Sequence, residues 1–252
     1  MTITTRGRAR VSVPILLVSA VTWVMLLVNP GGIMTVAHCP VTDSGASLAS
    51  LRMLLEMNPI SSLMAGWAMM LVAMMSPTLI APLRHILDRS FKRRRPRSVI
   101  FFVAGYAAIW MAAGAGLIAV MLMLNMLAPQ SYLAAVVVGI IALVWQCSPF
   151  KQRCLNRCHN HGELAAFGMS ADLGALGFGI THGVWCAGSC WLLMLLPMLL
   201  AQGHSAAMAV VTFVITSERL DRPRPLNWRL RVPSRLMRIV VAQARIRLPR
   251  FG

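Results

Sequence analysis

The sequence predicts an all-α fold: a polytopic membrane helical bundle of about six transmembrane helices with both termini in the cytoplasm. Three observations carry this expectation. Of the 252 residues, 58% are hydrophobic and only seven are Asp or Glu, with a mean hydropathy of +0.69, a composition of multi-span membrane chains rather than soluble domains. Six apolar segments can be drawn: Val11–Val28, Ile60–Leu83, Val99–Met123, Tyr132–Cys147, Thr181–Leu200 and Ser205–Ser217. Finally, of the 24 Lys and Arg, all but Arg52 fall on one side of such a topology, as the positive-inside rule requires.

Arg6, Arg8 and Arg10 precede the first segment and place the N-terminus inside. Basic residues before an apolar run also resemble a signal peptide, but the run closes on VNPGG without a small-x-small cleavage site, so an uncleaved helix is expected. Residues 29–59 form the sizeable outer loop, with His38, Cys39, Asp43 and Glu56. Its second half, SLASLRMLLEM, has helical apolar spacing and is expected to lie along the membrane surface. His38 and Cys39 diverge on a regular helix, whereas in a loop they can hold a metal jointly.

The second segment reads WAMMLVAMMSP, with Pro77 expected to end it. Met70 and Met74 are one turn apart and share a face, while Met75 points elsewhere. They are candidate soft ligands or, equally, flexible apolar filler. The third and fourth segments read as scaffold. Ala112 and Gly116 make a small-xxx-small pair for close helix approach. No charged residue stands inside these two segments, which argues against proton-driven transport.

Next comes KQRCLNRCHNHG, in which Cys154, Cys158, His159 and His161 crowd together at the expected cytoplasmic surface. Two thiols three residues apart and two imidazoles can supply four N/S ligands, although the spacing is not that of a standard zinc finger. A reducing cytosol disfavours a structural disulfide there. Plain exposed side chains are the alternative. Residues 162–180 are Gly- and Ala-rich and are expected to follow the inner interface, with Asp172 as the clear charge.

The fifth segment carries most of the information. His182, Cys186, Cys190, Met194 and Met198 recur at every fourth position. Each step rises about 6 Å and turns about 40° past a full circle, so they form a slowly winding stripe. Imidazole, thiolate and thioether are the donors that hold monovalent copper or zinc. Small buried thiols and methionines can also simply pack. Gly179 and Gly183 add a GxxxG step at the start of this segment. The sixth segment is short for a span of about 20 residues.

The tail, residues 221–252, is basic. RLMRIVVAQARIRL suggests an amphipathic helix on an anionic inner leaflet, with disorder as the alternative, and the neighbouring prolines prevent any longer helix. The net charge of +17 is explained by topology. Nucleic-acid binding is not expected, because no stacking aromatics accompany the arginines. Residues 1–220 thus form one transmembrane domain.

Four stretches in order, WAMMLVAMMSP, FKQRCLNRCH, HGVWCAGSCWLLM and ERL, resemble a bacterial family of predicted metal-binding integral membrane proteins, domain of unknown function 2182. The resemblance runs from about Ser62 to Leu220. It implies a multi-pass protein of the bacterial cytoplasmic membrane with a metal link, copper being the expected ion. Members often read GCCW where this chain has Gly188-Ser189-Cys190-Trp191, so one thiolate of that pair is missing here. His204 likewise stands where the family has Asn.

Copper handling is therefore the leading functional expectation: Cu(I) held by Cys186 and Cys190, with His182 and Met194 flanking. Met70 and Met74 would face them, and Cys154 with Cys158, His159 and His161 would form an inner relay. Zinc is the second candidate ion. A metallochaperone, a membrane cuproenzyme or a second copy of the chain would be the partner. No ATP-binding loop occurs, so translocation would be passive or partner-dependent. A thiol oxidoreductase fits poorly, since i, i+4 cysteines on a straight helix hold their Cα atoms about 6 Å apart with parallel Cβ vectors. Hydrolysis fits worse, with no carboxylate beside His182, and no enzymatic activity is expected. A structural or assembly subunit without metal is the remaining alternative.

Overall fold

The computed structural model describes residues 5–28, 56, 59–127, 132–160, 162, 164–165, 168–200, 202–229 and 242. The outer loop, His161 and the amphipathic stretch of the tail lie outside these, apart from positions 56, 59 and 242. Among the described residues every regular element is helical: α1 (Thr5–Val28), α2 (Ile60–Met75), a 3-10 turn (Ser76–Leu79), α3 (Ile80–Arg89), α4 (Arg95–Leu127), α5 (Leu133–Cys147), α6 (Pro149–Cys158), α7 (Gly168–Leu199) and α8 (His204–Leu220).

Four of these stretches are long and apolar enough to cross a membrane: Val11–Val28, Ile60–Arg89, Arg95–Leu127 and Gly168–Leu199. A fifth is added if α5 and α6, which meet at a 66° bend, count as one span. The protein is accordingly consistent with a multi-pass membrane protein. α8, at 17 residues, falls short of that length.

α4 and α7 form the central pair, and glycines set their separation. A Cβ on Gly179 would lie 2.2 Å from the Phe102 carbonyl oxygen, and one on Gly105 would lie 2.6 Å from that of Leu176. Gly183 abuts Ile109, with 3.0 Å between the Cβ positions. The GxxxG step of α7 is therefore a contact seam. The Ala112/Gly116 pair is not: both are exposed, and a Cβ on Gly116 meets nothing within 4 Å. Gly114 does that work instead, because the Trp67 indole occupies the space beside it and donates to Trp110 O at 2.9 Å.

α2 ends at Met75, immediately ahead of Pro77, as the sequence suggested. Pro77 sits at the start of the 3-10 turn, where a missing N–H costs nothing, and helical structure resumes at Ile80. The expectation for residues 162–180 changes. α7 begins at Gly168, so the stretch assigned to the interface is its first turns; there Asp172 is held by Arg94 at 2.9 Å and Arg97 at 2.8 Å. The basic run Lys151–Arg157 lies in the amphipathic α6. Ser148 caps it by accepting from the Lys151 N–H at 3.2 Å, and Pro149 occupies its first turn. α6 packs on α7, and residues after α8 cross it: the Arg224 N–H reaches Asn156 Oδ1 at 3.2 Å, and the Arg229 N–H reaches Cys147 O at 3.3 Å. On the other side, α1 joins α2 through Ser19 Oγ, which donates to Ala73 O at 2.7 Å.

Candidate functional site

α7 turns its four-residue stripe into the bundle. His182, Cys186, Cys190 and Met194 are all buried, and Met198 is half-buried. Cys186 and Cys190 have essentially no exposed surface. The Cys190 thiol reaches Cys186 O at 3.1 Å, and the Ser189 hydroxyl donates to the same carbonyl at 2.7 Å. Both groups thereby bond back into the preceding turn, as thiols and hydroxyls in apolar helices do. From α4, Tyr106 OH stands 3.4 Å from Cys186 Sγ.

Thioethers share the buried core with these thiols. Met70, Met74 and Met75 of α2, Met121 of α4, Met194 of α7 and Met208 of α8 all belong to the buried cluster that includes Cys186 and Cys190. The helical spacing of Met70 and Met74 brought them inward as the sequence suggested; Met75 is buried as well, beside the 3-10 turn. His182 takes a different neighbourhood. Its ring lies among Phe102, Tyr106 and Phe178 at centroid distances of 6.1, 6.0 and 5.9 Å. Tyr106 touches both the His182 ring and the Cys186 sulfur. An open groove of about 460 Å³ reaches His182 from the side, past Arg157, Thr181 and Trp185.

The Cys154–His161 region splits. Cys154 points at α7: a Cβ on Gly188 would lie 3.0 Å from its sulfur. Cys158 is buried in the same cluster as Cys186. His159 places both ring nitrogens on backbone carbonyls, Nδ1 at 2.8 Å from Leu155 O and Nε2 at 3.1 Å from Arg219 O. His204 is far along the chain from these groups and sits 2.6 Å from Pro197 O through Nδ1. Among the described residues, no three of His, Cys, Asp and Glu stand together as a metal-holding group. What the fold does assemble is a pair of buried thiols in a thioether-rich core. This donor set suits a low-coordinate monovalent ion better than tetrahedral zinc.

Charged residues that the sequence placed at a surface complete this region. Lys151 Nζ is fully buried and binds both carboxylate oxygens of Glu218, at 2.8 and 2.7 Å, with Gln146 bonded to both partners. Next to Glu218, Arg219 extends Nη2 to within 3.5 Å of Ser189 Oγ. Sequence reasoning missed this trio. The signal available was Glu218, an acid at the end of an apolar segment in a chain with only seven Asp and Glu.

No curated protein and no solved structure matches the chain. A family model described as "PpoB2: Copper chaperone" matches residues 64–241. The matched span takes in Met70, Met74, the thiols of α6 and α7 and Arg219, and it extends beyond Leu220, where the recognisable motifs stop. It covers well over half of the sequence, and the chain belongs to the PpoB2 copper chaperone family.

Proposed function

We propose that the protein is an integral membrane copper chaperone that holds Cu(I) between Cys186 and Cys190 and passes it to a thiol- or imidazole-bearing partner such as a membrane cuproenzyme. The observation that carries this reading is the pair of buried thiols one turn apart inside a cluster of buried methionines, in a chain of a copper chaperone family. Thiolates and thioethers match the softness of Cu(I). Coordination also replaces the thiol protons with a cation, so two sulfurs that would be costly as free thiolates in hydrocarbon become part of a compensated complex.

Cys154 and Cys158 on α6 act as a second station in this scheme, since both approach α7 close to the main pair. Exchange between neighbouring thiolates needs no nucleotide. Met70, Met74 and Met194 provide weaker, reversible contacts on the other side. The bundle is placed in the bacterial cytoplasmic membrane with six spans and both termini inside, counting α8 as the short sixth, with the basic tail against anionic lipid.

The deciding experiment is copper stoichiometry and Cu(I) affinity of the detergent-purified protein under reducing conditions, beside a Cys186→Ser/Cys190→Ser variant. Near-stoichiometric copper that is lost in the variant supports the site. Equal copper in both proteins, or none in either, ends the proposal.

A further inference from the structure

Arg219 has no carboxylate partner among the described residues. Glu218 is taken by Lys151, Asp172 by Arg94 and Arg97, and Asp221 by Arg224. The Arg219 Nε is sheltered from solvent and makes no hydrogen bond. The guanidinium lies beside the Cys158 thiol and makes a long approach of Nη2 to Ser189 Oγ, at 3.5 Å. Ser189 lies between Cys186 and Cys190 on α7 and bonds to the Cys186 carbonyl. The chain thus holds an uncompensated cation against the turn that carries both thiols. Arg219 is half-buried, and a cation sheltered from water without a counter-charge is unfavourable, so the arrangement favours an anion beside it.

The geometry points to Arg219 as the counter-charge of a bis-thiolate site at Cys186 and Cys190, which makes that site select a monovalent metal ion over a divalent one. This rests on the reading that the two thiols take a metal. Charge arithmetic gives the selectivity. Two thiolates with a monovalent ion carry a net charge of minus one, and Arg219 brings the site to neutrality; Lys151 and Glu218 cancel each other. With a divalent ion the two thiolates are already neutral, and Arg219 leaves one excess positive charge in a low-dielectric site. Guanidinium suits this part, because it is always charged and weakly hydrated.

The test compares Cu(I) and Zn(II) affinities of the full-length purified protein by competition with a chelator for each ion, under reducing conditions. The variants are Arg219→Gln, Arg219→Lys and Cys186→Ser/Cys190→Ser. Arg219→Met, closer to Arg in volume, takes the place of Arg219→Gln if that protein does not elute as a folded species. The neutral variant should bind Cu(I) at least about tenfold more weakly, the low end of what one neighbouring opposite charge does to an ionised group. Its Zn(II) affinity should stay the same or rise, so the Cu(I)/Zn(II) ratio falls, and Arg219→Lys should restore most of that ratio. An unchanged ratio in the neutral variant, with copper still lost in the double-cysteine variant, overturns the role of Arg219 and leaves the thiol site standing. Copper retained by the double-cysteine variant overturns the thiol site itself.

Discussion

Gly188→Cys is expected to form a disulfide with Cys154 on mild oxidation. A Cβ on Gly188 lies 3.9 Å from the Cys154 Cβ and 3.0 Å from its sulfur. Disulfides have Cβ separations of about 3.5–4.5 Å, so the bond closes without backbone movement. It would join α6 to α7 and enclose a loop of about 35 residues, whose restriction in the unfolded chain contributes about 4 kcal/mol before any strain is subtracted. For a chain of this size, each kcal/mol moves the melting temperature by about 2–4 °C, so oxidation should raise it by up to roughly 8–16 °C. The assay is tryptic mapping after oxidation, in a background with the remaining cysteines changed to Ser. Trypsin cuts after Arg153 and Arg157 and then not until Arg219, so the bond links a short Cys154 peptide to the long α7 peptide. Gly177→Cys is the control: it lies on the same helix, and a Cβ there meets nothing within 4 Å. A folded Gly188→Cys protein that links no better than Gly177→Cys would show that α6 does not pack on α7 as described.

Gly179→Ala should lower the melting temperature in detergent while Gly177→Ala does not. The first forces a Cβ to within 2.2 Å of the Phe102 carbonyl oxygen, overpacking against backbone that costs about 1–3 kcal/mol; equal stability of the two variants would refute the α4–α7 seam. Lys151→Met should destabilise the protein by about 3–5 kcal/mol because it strands the Glu218 carboxylate. Lys151→Met combined with Glu218→Leu should recover most of the loss, and a double variant as unstable as the single one would refute the pairing.

Fold class was legible because hydropathy and charge placement act over whole segments and survive errors of several residues at each end. The inward stripe of α7 was legible too, since a period of four on a helix leaves little choice of face, and the same holds for Met70 and Met74. Helix ends were less so. Pro77 reads as a stop, yet a 3-10 turn accommodates it, and nothing local announces that helical structure resumes. Residues 168–180 read as a Gly-rich stretch along the interface until the seam with α4 supplies the packing that a glycine-rich helix lacks alone. Gly105 and Gly114 carry no small partner four residues along, so motif reasoning passed over them in favour of Ala112 and Gly116. The charged trio was hidden for another reason. Lys151 and Glu218 stand 67 residues apart, and charges at segment ends are ordinarily topology markers rather than buried partners.

That trio also explains why the thiols face a cation and not a neutral pair. Neighbouring residues on an α-helix project about 100° apart, so the last turn of α8 cannot direct Glu218 and Arg219 at one target. α6, bent back by 66°, brings Lys151 to the Glu218 face, while α7 presents Ser189 to the Arg219 face. An acid and a base adjacent in sequence are thereby drawn to different helices. Had the bend at Ser148 been absent, α6 would continue the line of α5, Lys151 would leave the bundle, and Glu218 would be free for a cationic neighbour. The bend at Ser148 therefore gives Glu218 its lysine partner, and the positive charge of Arg219 stays beside the turn that bears Cys186 and Cys190.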